Sequence, residues 1–110
     1  MSSESTSAQK AFGDIAPDLA EYTDKVLFGD VWERPGLSPR DRSLVTITSL
    51  MSLYRVNELP FHLNKALSNG VTKDEIIEII THLAFYSGWP TASTALSIAR
   101  LVFSDSDTGL

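Results

Sequence analysis

The stretch N-E-L-P-F-H-L-N-K-A-L-S-N-G, residues 57–70, decides the fold. Leu59, Leu63, Ala66 and Leu67 recur at helical spacing and make one apolar stripe. Asn57 is suited to cap the start, Pro60 falls in the first turn where a missing N–H costs little, and Gly70 stands at the natural C′ position. The stretch predicts an amphipathic helix. On its polar side Glu58 and His62 are four residues apart, which sets a carboxylate and an imidazole one turn from each other. Lys65 and Asn69 continue that line, and Arg55 lies just upstream, inside or immediately outside the helix.

The same reading extends in both directions. Thr72-Lys73-Asp74-Glu75 is a capping box, and the helix it opens carries Ile76, Ile77, Ile80, Leu83 and Ala84 on one face. Gly88-Trp89-Pro90 breaks the chain before a last helix with Ala92, Ala95, Leu96, Ala99, Val102 and Phe103 at helical spacing. Upstream, Ser38-Pro39-Arg40-Asp41 supplies an N-cap, a proline at N1 and an acid at N3. The helix that follows is apolar most of the way round (Leu44, Val45, Ile47, Leu50, Met51, Leu53, Tyr54), so it is expected to be central and covered on more than one side. Asp30 to Leu37 reads as a connecting loop anchored by Trp32. A first helix is expected from Pro17 toward Phe28, with Leu19, Tyr22, Val26 and Leu27 as its buried face. No segment shows the period-2 alternation of a half-buried strand. The pattern is that of an all-α domain of five to six helices over residues 10–103, with a disordered tail at 1–9 and a flexible tail at 104–110.

Composition narrows the chemistry. The 110 residues suit one domain, and 43% of them are hydrophobic, enough for a core. An all-helical chain of this length often gains stability by oligomerising. The formal charge is −5 and the basic residues are scattered, which argues against nucleic acid as a partner. No run of eighteen apolar residues suggests a membrane span, and no secretory signal is apparent, so a cytoplasmic location is expected. The sequence has no cysteine, which removes disulfides, thiol catalysis and sulfur-ligated zinc. With only two histidines, His62 and His82, neutral-pH acid–base chemistry has few other places to go.

Each candidate has a plainer alternative. Glu58 and His62 form either an acid–base pair near a helix end suited to anions, or an ordinary solvated face. His82, one turn before Tyr86, is either a second acid–base group or a half-buried structural histidine. Arg42 either clamps a carboxylate with its guanidinium fork or is surface charge. Trp89 either walls a pocket or plugs the core. A metal site from Glu58, His62 and His82 is not expected, because the usual histidine spacings of catalytic zinc are absent.

Taken together, L-S-P-R-D-R-S-L-V-T-I (37–47), E-L-P-F-H-L-N-K-A-L-S-N-G-V-T-K-D-E-I (58–76) and H-L-A-F-Y-S-G-W-P-T-A (82–92) resemble the carboxymuconolactone decarboxylase family. The resemblance runs from about Phe28 to Phe103. It implies an alkylhydroperoxidase-D-like all-α fold assembled as trimers or hexamers. The peroxidase branch of that superfamily carries Cys-x-x-Cys-x-x-x-His; with His62 on the motif histidine, Arg55 and Glu58 occupy the cysteine places, so redox chemistry is not implied. What is implied is cofactor-free decarboxylation of a small anionic lactone such as 4-carboxymuconolactone in aromatic-compound degradation. His62 would donate or carry the proton, Glu58 would orient it, and Arg42, Arg55, Tyr86 and Trp89 would bind substrate. The alternative is a non-catalytic oligomeric protein of the same fold that binds a small anion. An isomerase or hydrolase using the same pair is a weaker third possibility.

Overall fold

The structure of the protein, a computed structural model, describes residues 5–108, and every regular element among them is helical. The remaining residues of the two expected tails lie outside the described residues. The chain divides into two compact units, one ending at Pro39 and the other beginning at Arg40. Among the described residues no helix is long and apolar enough to cross a membrane.

The first unit contains α1 (Ser7–Phe12), α2 (Pro17–Glu21) continuing directly into a π-helical segment (Tyr22–Leu27), and a 3-10 turn (Val31–Glu33). The Phe28 N–H donates to the Thr23 carbonyl at 3.0 Å, the five-residue step of a π-turn. The segment carries Asp24 inward, one turn after the fully buried Ala20. Asp24 is only 7% exposed, and its carboxylate accepts from the Ser5 hydroxyl at 2.8 Å and from the Ala8 and Gln9 N–H groups, each at 3.0 Å. An aspartate sixteen residues downstream therefore caps α1, whose own Thr6 makes no side-chain cap. This tie orders a helix that begins within the stretch read as a tail. The expected burial of Leu19, Tyr22, Val26 and Leu27 is corrected: all four are exposed, and the inward positions belong to Ala20 and Asp24. The apolar count favoured the wrong face because the carboxylate satisfies backbone donors there.

The second unit contains α3 (Pro39–Ser52), α4 (Leu59–Ser68), α5 (Lys73–Tyr86) and α6 (Trp89–Thr108). Its core joins Ile47 and Met51 of α3, Leu59, Leu63 and Ala66 of α4, Ile76 and Ile80 of α5, and Ala92, Ala95, Ala99 and Val102 of α6. The alanine row on α6 lets α4 and α5 pack closely against it. Among the described residues of α3, Ser43, Ile47 and Met51 are buried while Val45 is exposed, so one side of the helix that was expected to be covered stands open.

Helix ends follow their local chemistry closely. At the end of α4 the Val71 N–H reaches the Ala66 carbonyl (2.9 Å) and the Gly70 N–H the Leu67 carbonyl (3.2 Å), a Schellman arrangement with Gly70 at φ +98°. The capping box of α5 is complete: the Glu75 N–H donates to the Thr72 hydroxyl oxygen at 3.0 Å and the Thr72 N–H to the Glu75 carboxylate at 2.9 Å. Glu75 also pairs with Arg40, tying the start of α3 to the start of α5. Two boundaries differ from expectation. Helix α4 begins at Leu59 because the Glu58 and Leu59 N–H groups both donate to the Arg55 carbonyl, a tight turn that delays the helix. Helix α6 runs to Thr108 because nothing before Gly109 breaks it.

The Asp24 cap is testable. Burial pushes its carboxyl upward, but the bonds from Ala8, Ser5 and Gln9 outweigh that and hold it below the ordinary 3.8. A depressed carboxyl stabilises the fold above its unfolded value and loses that contribution as pH falls through the folded one. Asp24→Asn is therefore expected to abolish amide-exchange protection at Ala8 and Gln9 while leaving α5 and α6 protected. Unchanged protection at Ala8 and Gln9 would show that Asp24 does not hold α1.

Candidate functional site

Helices α3 and α4 are joined by a short turn, and one side-chain hydrogen bond ties the start of α3 to the end of α4. At the far end, the Asn69 side-chain amide donates to the hydroxyl of Ser43 at 3.0 Å, and Ser43 is buried at 1% exposure. At the near end, α3 turns into α4 through Tyr54 to Glu58. His62 sits in the first turn of α4, and its N–H donates to the Glu58 carbonyl.

The His62 imidazole is half-buried, and its Nδ1 atom is shielded from solvent. Phe61 meets it edge-on with ring centroids 5.0 Å apart. Burial lowers the imidazole below its ordinary value of 6.5, and the positive charge of Lys65, one turn along α4, lowers it further. The ring is therefore neutral at pH 7, able to donate from one nitrogen and accept at the other. Sequence reading placed Lys65 in line with His62 but left it out of the site; its role shows only in the burial of the pair, which weakens solvent screening.

The other candidates are distributed as follows. Glu58 occupies the N-cap of α4, yet its side chain caps nothing, and among the described residues its carboxylate makes no hydrogen bond or ion pair. The orientation of His62 by Glu58 is thus not present in the resting structure. Arg55 is exposed in the turn. Arg42 is half-buried, with its Nε atom shielded from solvent, while its neighbour Arg40 is committed to Glu75.

Tyr86 and Trp89 belong to a different arrangement at the α5–α6 junction. Tyr86 is 79% exposed and stacks on His82 at 4.8 Å; Trp89 is 63% exposed and meets Phe85 edge-on at 5.0 Å. The core-plug reading of Trp89 and the half-buried reading of His82 are both corrected by this exposure. Trp89 lines an open groove of about 320 Å³ with Ile80, Ala84 and Ala92, and His82 lines one of about 380 Å³ with Glu75, Glu78 and Leu44. Neither groove includes His62, Glu58, Arg42 or Arg55. Among the described residues no three histidine or acidic side chains gather as a metal-binding set.

The family model described as the carboxymuconolactone decarboxylase family matches residues 17–101. A 4-carboxymuconolactone decarboxylase of Acinetobacter baylyi is 44% identical over 92 residues, covering 84% of this chain and 69% of the relative. A nitrosuccinic acid decarboxylase of Metarhizium robertsii is 37% identical over 78 residues, covering 71% of this chain and 54% of the relative. An uncharacterized 15.0 kDa protein of Paracoccus denitrificans is 30% identical over 100 residues, covering 89% and 75%. The two relatives named for an activity are both decarboxylases.

The electrostatics of His62 give a direct expectation. Its folded-state value lies below 6.5, so the unfolded chain takes up the proton first. The stability that depends on a neutral His62 is intact above 6.5 and is lost as pH falls from there toward the folded value. In an NMR titration His62 should titrate below 6.5, and Lys65→Gln should move it upward. Titration at or above 6.5, unmoved by that substitution, would contradict the burial and charge assigned to it.

Proposed function

The chain belongs to the carboxymuconolactone decarboxylase family, and on that premise we propose that it decarboxylates a small dianionic acid, with 4-carboxymuconolactone as the leading substrate. The observation that carries the reading is the half-buried, neutral His62 beside Lys65 at the start of α4. This is a place where an anion is attracted and a proton can be exchanged.

The two activities named in the relatives share a chemical logic. In each substrate, a carboxylate leaves a carbon whose electron pair can pass into an oxygen-bearing acceptor, and a second carboxylate remains. In the lactone, the C–CO2 bond breaks at the γ-carbon and the pair runs through the ring double bond to the lactone carbonyl oxygen, giving a dienolate. A proton then arrives at the carbon beside the lactone carbonyl, yielding the enol-lactone. In nitrosuccinic acid the nitro group takes the pair. The acceptor lies in the substrate, so the chemistry needs no cofactor.

The protein must then supply cations and a proton. Arg55 and Arg42 are the candidate partners for the carboxylates. Lys65 adds positive charge beside the developing enolate. An arriving dianion raises the affinity of His62 for a proton, so the imidazole that is neutral in the free protein becomes the acid once substrate is bound. Glu58, exposed and uncommitted four residues before His62, can then hold the imidazolium. Tyr86 and Trp89 have a place in this reading only as part of a wall contributed across an assembly. The apolar side chains left exposed on α3, on α5 and in the turn after α3, such as Val45, Phe85 and Leu53, support self-assembly.

The test is loss of lactone absorbance with release of CO2. His62→Gln should cut kcat/KM by about 10²–10⁴, the usual contribution of a positioned general acid. A His62→Gln protein that turns over at the wild-type rate would remove His62 from the reaction. Saturable lactone binding by the wild type without turnover would instead identify a binding protein of this fold.

A further inference from the structure

Helix α3 ends in a way that its neighbours do not. Three helix ends in the second unit place a residue at positive φ: Tyr54 at +58°, Gly70 at +98° and Gly88 at +106°. Two of them use glycine, which adopts this conformation without a Cβ penalty. Tyr54 has the same Schellman bonding as Gly70: its N–H reaches the Met51 carbonyl at 3.3 Å, and the following Arg55 N–H reaches the Leu50 carbonyl at 2.9 Å. The left-handed conformation disfavours a bulky side chain. Among the described residues, Tyr54 is the only non-glycine residue in that conformation.

Among the described residues, no side-chain interaction of Tyr54 offsets that cost. Tyr54 is 49% exposed, so core packing does not hold it. Among the described residues its hydroxyl makes no hydrogen bond and its ring no aromatic contact. The strained residue lies immediately before Arg55, in the turn that leads into α4, the helix that carries His62. Backbone strain kept where the fold gains nothing from it is characteristic of residues held for function.

We propose that Tyr54 is a substrate-contacting residue, its phenol O–H donating a hydrogen bond to an oxygen of the anionic substrate that Arg55 also engages. This rests on the decarboxylase reading given above. The ring is amphipathic, so it suits a ligand with an apolar ring edge and charged oxygens. A glycine at this position would serve the helix end better and the ligand not at all.

Two substitutions separate the roles. Tyr54→Gly relieves the backbone and should raise the melting temperature by about 4 °C or more. Tyr54→Phe keeps the ring and removes only the donor. Both variants should lose at least about tenfold in kcat/KM on 4-carboxymuconolactone, the scale of one lost hydrogen bond to a charged group. Wild-type kcat/KM in both would overturn the proposal while leaving the decarboxylase reading intact. A lower melting temperature for Tyr54→Gly would also overturn it, because Tyr54 would then be structural. If the wild type binds the lactone without turnover, calorimetry gives the same readout: weaker binding by Tyr54→Phe supports the contact, and equal binding overturns it. A wild type that neither binds nor converts the lactone would overturn both proposals together.

Discussion

The connection of α3 to α4 is the constraint on which the candidate site depends. It is pinned at one end by the hydrogen bond from Asn69 to the buried Ser43 and closed at the other by the turn from Tyr54 to Glu58. Between these points Ile47, Met51, Leu63 and Ala66 fill the core. On α4, His62 is half-buried. Its half-buried position makes the nearby Lys65 effective, since a charge in water-screened surroundings would shift the imidazole far less.

This sets the functional logic in sequence. A short apolar stripe makes α4 a helix and fixes which side is polar. On that polar side His62 and Lys65 are half-buried. Burial and a neighbouring cation keep the imidazole neutral, and a neutral imidazole beside positive charge is suited to receive an anion before it receives a proton. The same turn that begins α4 also leaves Arg55 and Glu58 exposed, with Glu58 uncommitted, so their charges are available to a ligand instead of being consumed in holding the fold. Arg40 and Glu75 do the opposite: they pair with each other and serve the architecture.

Much of this was legible in the sequence because it rests on local chemistry. The Ser38-Pro39 start of α3, the Thr72–Glu75 capping box and the Gly70 stop are each set by a few adjacent residues, and each stands where the pattern places it. What was not legible depends on distant partners. Asp24 caps a helix sixteen residues earlier, which no window of sequence displays. Counting apolar residues put the wrong face of α2 inward, because a satisfied carboxylate took the inner position. Trp89 reads as a core residue by size, but Phe85 holds it at the surface. Glu58 and His62 do share the start of α4, yet spacing alone does not show that the carboxylate stays uncommitted in the free protein.

The central claim is that the site on α4 delivers the proton that ends the reaction. Decarboxylation of 4-carboxymuconolactone in D2O, with the product examined by NMR, tests it most directly. Delivery from a fixed imidazole predicts a single deuterium on one face of the carbon beside the lactone carbonyl. Deuterium distributed equally over both faces would mean that bulk solvent protonates a released dienolate, and His62 would not be the acid.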